Sequence, residues 1–169
     1  MRIKDIVRAD KRSVVCDGWK SGRMPKSAFP LGKSAKHALC FRGGYEWCCL
    51  RFEALSCEFR MVVAVNFEKQ EYYVHLGEVC GGDTRMLASY EFHSTHPGWH
   101  LHAGCGDISL IPVGRYKGPW RRNIPRDWRT CRRTDWDVAT REAALVKACE
   151  VFGVPMPLLS PEDRQMQLV

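Results

Sequence analysis

Between residues 57 and 67, Cys57, Phe59, Met61, Val63, Val65 and Phe67 alternate with Glu58, Arg60, Val62, Ala64 and Asn66. Alternation with period two over such a length marks a β-strand with at least one face buried. Similar stretches lie on both sides, and the candidate strands are 38–42, 46–53, 57–67, 71–79, 84–93 and 99–105. The breaks between them, Gly43-Gly44, Ala54-Leu-Ser56, Glu68-Lys-Gln70 and Gly81-Gly-Asp83, are short and rich in turn residues. Connections that short join sequential strands as antiparallel hairpins, because a parallel crossover needs a dozen residues or more. A meander is therefore the expected core.

One helix is expected after it. Val138, Ala139, Leu145, Val146, Cys149 and Phe152 recur at helical spacing around Glu142, with Thr134 or Asp135 as cap and Gly153 as stop. The predicted fold is α+β: an antiparallel five- to six-stranded meander sheet with one C-terminal helix packed on one face. With 169 residues the chain is read as a single domain. Its segments are a basic irregular stretch (1–36), the sheet (37–105), a basic Arg/Trp loop (106–133), the helix (134–153) and a tail (154–169).

Four of the six histidines, His93, His96, His100 and His102, fall within ten residues. Two strands joined by a turn at Ser94-Thr-His-Pro-Gly98 would carry them. If Trp99, Leu101 and Ala103 face the core with Tyr90 and Phe92, then Glu91, His93, His100 and His102 share the opposite face. Tyr73 and His75 join them one strand earlier. Such a face supports two chemistries. His93, His100 and His102 can ligate zinc, which makes hydroxide available at neutral pH. Beside that zinc, Glu91 can support a ligand or act as general base; without metal, His93 and His102 can act as general base and general acid on a phosphodiester, with Tyr73 or Arg115 assisting.

Charge is segregated. Residues 1–36 hold ten Lys/Arg against three Asp/Glu, and residues 115–133 hold eight against one. The intervening 37–114 hold five against nine. Within the second basic stretch Arg115, Lys117, Arg121, Arg122, Arg126, Arg129, Arg132 and Arg133 interleave with Trp120 and Trp128. Guanidinium groups grip phosphates and aromatic faces stack on unpaired bases, so the expected partner is nucleic acid, single-stranded RNA in the first place. An acidic protein is the other polyanionic partner such a surface would suit.

The nine cysteines include no Cys-x-x-Cys pair and most sit in apolar runs, which reads as reduced thiols. Residues 1–12 lack a signal-peptide apolar run, and no stretch approaches the ~20 apolar residues that span a bilayer. The expected setting is the cytoplasm, with no membrane partner. The expected function is a small basic phosphodiester hydrolase, nuclease-like, of the kind found among toxins. The alternative is a non-catalytic nucleic-acid- or protein-binding module with a structural zinc or no metal.

Overall fold

The computed structural model describes residues 1–33, 39–41, 43–124 and 136–157. Its elements are α1 (Ile3–Arg8), β1 (Arg12–Cys16), β2 (Lys20–Ser21), β3 (Glu46–Ala54), β4 (Cys57–Asn66), β5 (Glu71–Cys80), β6 (Asp83–His93), β7 (His96–Gly104), β8 (Arg121–Ile124) and α2 (Arg141–Phe152). All eight strands form one open antiparallel sheet in the order β1-β3-β4-β5-β6-β7-β8, with β2 also on β3. The α+β meander with a C-terminal helix is the observed architecture, and the sheet is two to three strands wider than the sequence pattern suggested.

The extra strands come from stretches read as irregular. β1 and β2 lie in the N-terminal segment, and β8 lies in the basic loop, where Arg121-Arg-Asn-Ile124 offers no apolar alternation. Conversely, Leu39–Phe41 forms no strand, although 38–42 was expected to.

The helix begins later than its apolar pattern implied. Residues 136–140 are not helical, and Thr140 is the N-cap, its side chain accepting from the Ala143 N–H at 3.1 Å; the expected caps Thr134 and Asp135 lie outside the described residues. Val138 is fully buried without being helical, which is why it counted toward a helical stripe.

α2 packs Ala144, Leu145, Ala148, Cys149 and Phe152 onto Met61, Val63, Tyr72 and Val74 of the sheet. The Tyr72 hydroxyl donates to the Ala144 carbonyl at 2.7 Å across that contact. The opposite face is covered as well. Met24, Phe29, Leu31, Leu39 and Phe41 of the N-terminal segment lie over Trp47, Cys49, Val62, Ala64 and Met86, forming a second apolar cluster. Met86 reaches that face through a β-bulge: Leu76 pairs with Ala88 but Gly77 with Met86, so Leu87 is the extra residue and the face of everything before it is reversed. The alternation that put Met86 beside Ala88 does not survive this bulge.

Candidate metal centre

The second face holds the histidines, and register sets their geometry. One cross-strand row runs Val62–His75–Ser89–His102 from β4 to β7, and the next runs Ala64–Tyr73–Glu91–His100. Side chains in adjacent rows on one face are within reach of each other, so Glu91 sits among His100, His102 and His93.

The turn between β6 and β7 is Ser94-Thr95, tighter than the Ser94–Gly98 turn read from the sequence; Pro97-Gly98 lies inside β7. His93 pairs with His96 and Glu91 with His100, so β7 carries a bulge of two extra residues around Gly98, whose φ is +83°. This bulge turns the Gly98 carbonyl toward His100, whose Nδ1 contacts it at 3.0 Å.

That contact decides a tautomer. A carbonyl only accepts, so Nδ1 carries the proton and Nε2 of neutral His100 presents a lone pair. Nε2 faces Glu91 Oε2 at 3.7 Å. Two lone pairs aimed at each other require a proton or a cation between them. His93 Nε2 and His102 Nε2 approach the same oxygen at 3.4 and 3.8 Å. These distances are long for hydrogen bonds. They are near the ~3.3 Å separating two donors bound tetrahedrally to one zinc at ~2.0–2.1 Å. Ligand atoms of Glu91, His100 and His102 all lie within 4.8 Å of one another. Together these three form a group that can hold a metal ion.

Glu91 is 6% exposed and yet strongly acidic. Burial acts to raise its pKa, but the surrounding imidazoles of His100, His93 and His75 and the hydrogen bond from Ser89 hold it well below the usual carboxylate range. Burial likewise acts to lower the pKa of His100, and the Glu91 carboxylate with the Gly98 carbonyl more than offsets it, so the pKa is raised. The other carboxylate oxygen, Oε1, accepts from the Ser89 hydroxyl at 2.6 Å and from Arg121 Nη2 at 2.9 Å.

An open cavity of about 400 Å³ lies over Glu91 and His102 of this group. Glu91, His93, His102 and Arg121 line it from the strands, with Thr95 of the turn and Tyr116, Lys117 and Gly118 of the following loop. Comparison with protein-family models, with curated proteins and with solved structures gave no match. Function is therefore read from these residues.

Of the residues singled out in the sequence, Glu91, His93, His100 and His102 are brought together. Thr95 contacts His93 Nδ1 at 2.6 Å. Tyr73 stacks on His93 with ring centroids 5.6 Å apart and planes 13° apart. It does not line the cavity, and burial raises the pKa of its hydroxyl. Among the loop residues, Arg115, Lys117 and Arg122 are exposed, Trp120 packs against the main core, and Arg121 turns inward. Arg126, Trp128, Arg129, Arg132 and Arg133 lie outside the described residues.

Sequence reasoning missed Ser89 and Thr95, although Ser89 was legible as a member of the polar face of β6; Tyr116 stood out in the sequence only as one more aromatic of the basic loop, alongside Trp120 and Trp128. Among the described residues no helix is long and apolar enough to cross a membrane.

Proposed function

We propose that this chain is a metal-dependent phosphodiester hydrolase acting on RNA or another nucleotide polyanion, with zinc held by Glu91, His100 and His102. The observation that carries the reading is the group itself: ligand atoms of Glu91, His100 and His102 lie within 4.8 Å of one another, and Glu91 and His102 open onto the cavity. Two histidines and a glutamate are a known catalytic zinc set, which leaves a position for water. Bound zinc lowers the pKa of that water to about 7.

The chain's own groups complete the chemistry. His93, on the cavity wall and braced by Thr95 and Tyr73, is placed to move a proton to the leaving oxygen. Lys117 on the rim supplies charge for the phosphate oxygens. A cytoplasmic setting and a toxin-like role are consistent with the composition.

A second reading rests on His93 itself. Its Nε2 is nearer Glu91 than either other imidazole. As a fourth ligand it would close the tetrahedron, and a closed site is structural. The chain would then be a binding module.

One experiment separates the two. Metal content of the purified chain is measured beside RNA hydrolysis, with and without chelator, for wild type, His93→Gln and His102→Ala. The hydrolase reading expects about one zinc per chain in wild type and His93→Gln, loss of zinc in His102→Ala, and loss of turnover in both variants. Loss of zinc in His93→Gln with no hydrolysis by any form supports the binding module. RNA cleavage that survives chelation, with no metal in any sample, overturns both and leaves metal-free imidazole catalysis.

A further inference from the structure

In the sequence Arg121 is one basic residue among many in a loop suited to phosphates. In the fold its side chain is 9% exposed and points away from the loop surface. Nη2 donates to Glu91 Oε1 at 2.9 Å and to the Ser89 hydroxyl. Nη1 donates to the Tyr116 carbonyl at 3.3 Å, and the guanidinium lies 5.0 Å over the Tyr116 ring. Strand pairing fixes its backbone, with Arg121 opposite Gly104 on β7.

We infer that Arg121 is a positioning residue of the metal centre: it pins Glu91 Oε1 so that Oε2 alone is turned to the imidazoles. The terminal torsion of a glutamate is soft and nearly two-fold, so a carboxylate without fixed partners presents either oxygen in a range of orientations. Here the two oxygens are divided. Oε1 takes Ser89 and Arg121, whereas Oε2 faces His93, His100 and His102. A planar fork that engages Glu91, Ser89 and the Tyr116 carbonyl at once holds this division in a way a lysine point charge cannot. Arg115, Lys117 and Arg122 have no such role, being exposed.

This inference rests on the metal reading of Glu91, His100 and His102, and its test reads metal binding without reference to activity. Zinc affinity of the full chain is measured by competition with a chromophoric chelator, and coordination is followed by the visible spectrum of the cobalt(II) form. Arg121→Gln is expected to weaken zinc binding by about 10- to 100-fold, the usual effect of losing an outer partner of a ligand, and to alter the cobalt bands. Lys117→Gln, which removes a positive charge from the same cavity, is expected to leave both unchanged. Wild-type affinity and spectrum in Arg121→Gln overturn the inference, and so does an equal loss in Lys117→Gln, which would mark a general charge effect. If Arg121→Gln does not fold, Arg121→Lys decides: weakened zinc binding with altered bands supports the role, and wild-type behaviour removes it. Failure of the wild-type chain to take up zinc or cobalt overturns the metal reading itself, a result distinct from any of these.

Discussion

His100 donates its Nδ1 proton to the carbonyl of Gly98, two residues earlier on the same strand, at 3.0 Å. The contact exists because β7 bulges at Gly98, where φ is +83°. An L-residue pays about 1–2 kcal/mol to adopt such a left-handed conformation. Gly98→Ala should therefore lower stability by about that amount in urea unfolding. It should also cost more in metal affinity than in stability, because a relaxed bulge takes the carbonyl away from Nδ1. A variant that loses stability but binds zinc as wild type does would show that the bulge serves folding alone.

A buried histidine makes a prediction about acid. His75 is fully buried, and neither ring nitrogen has a hydrogen-bond partner among the described residues. Phe29, Phe41, Tyr73 and Tyr116 surround it. Burial, then the charges of Arg121 and His102 against that of Glu91, place its pKa at about 3, below its ordinary 6.5. Between those two values the unfolded chain binds a proton that the folded chain does not. Stability is therefore intact above pH 6.5 and falls as pH drops through the window, by about 1.4 kcal/mol per unit. His75→Leu should be neutral to stabilising at pH 7, since an unsatisfied polar group costs about 1–3 kcal/mol. It should also lose about 2 kcal/mol less than wild type between pH 6.5 and pH 5. Parallel acid limbs in urea titrations of the two proteins would refute this.

How much of this was legible in the sequence follows from which interactions are periodic. The faces of β5, β6 and β7 were readable because alternation is local, and it correctly put Tyr73, His75, Glu91, His93, His100 and His102 on one side. The bulges at Leu87 and Gly98 were not readable. A bulge puts only one or two residues out of step, and Pro97-Gly98 carries the same composition as a turn. The cover formed by Met24, Phe29, Leu31, Leu39 and Phe41 was missed because a loop that lies on a sheet buries side chains without any period. Arg121 was misplaced for a related reason: its partners Ser89 and Glu91 are 32 and 30 residues away, and charge counted along the chain cannot show which cation turns inward.

The two helices meet at a glycine. Gly153 ends α2 with φ +61°, and a Cβ placed there would stand 2.3 Å from the Val7 carbonyl oxygen at the end of α1. Lys11 donates to that oxygen and to those of Ile6 and Ala9 at 2.7–2.8 Å, so the contact has little room to yield. Gly153→Ala should cost about 1–2 kcal/mol for the backbone and roughly 1–3 kcal/mol more for the overlap. Differential urea unfolding of wild type and variant measures it. A loss below about 1 kcal/mol would mean that α1 can move away freely.

The exposed cations of the loop make a claim separate from the metal. If Arg115, Lys117 and Arg122 contact phosphates, each neutralises one charge and releases condensed counterions. The slope of log affinity against log salt for a single strand then falls by about 0.7 for each residue removed. Fluorescence anisotropy with a labelled oligouridylate, from low to physiological salt, gives that slope. Lys117→Ala should reduce it by about 0.7, with Arg115→Ala and Arg122→Ala adding similar steps. Arg121→Gln should leave it where it is, because that guanidinium is already committed to Glu91 and Ser89. A smaller slope for Arg121→Gln, matched by no change for Lys117→Ala, would reverse the two assignments and place the phosphate on the floor of the cavity instead of its rim.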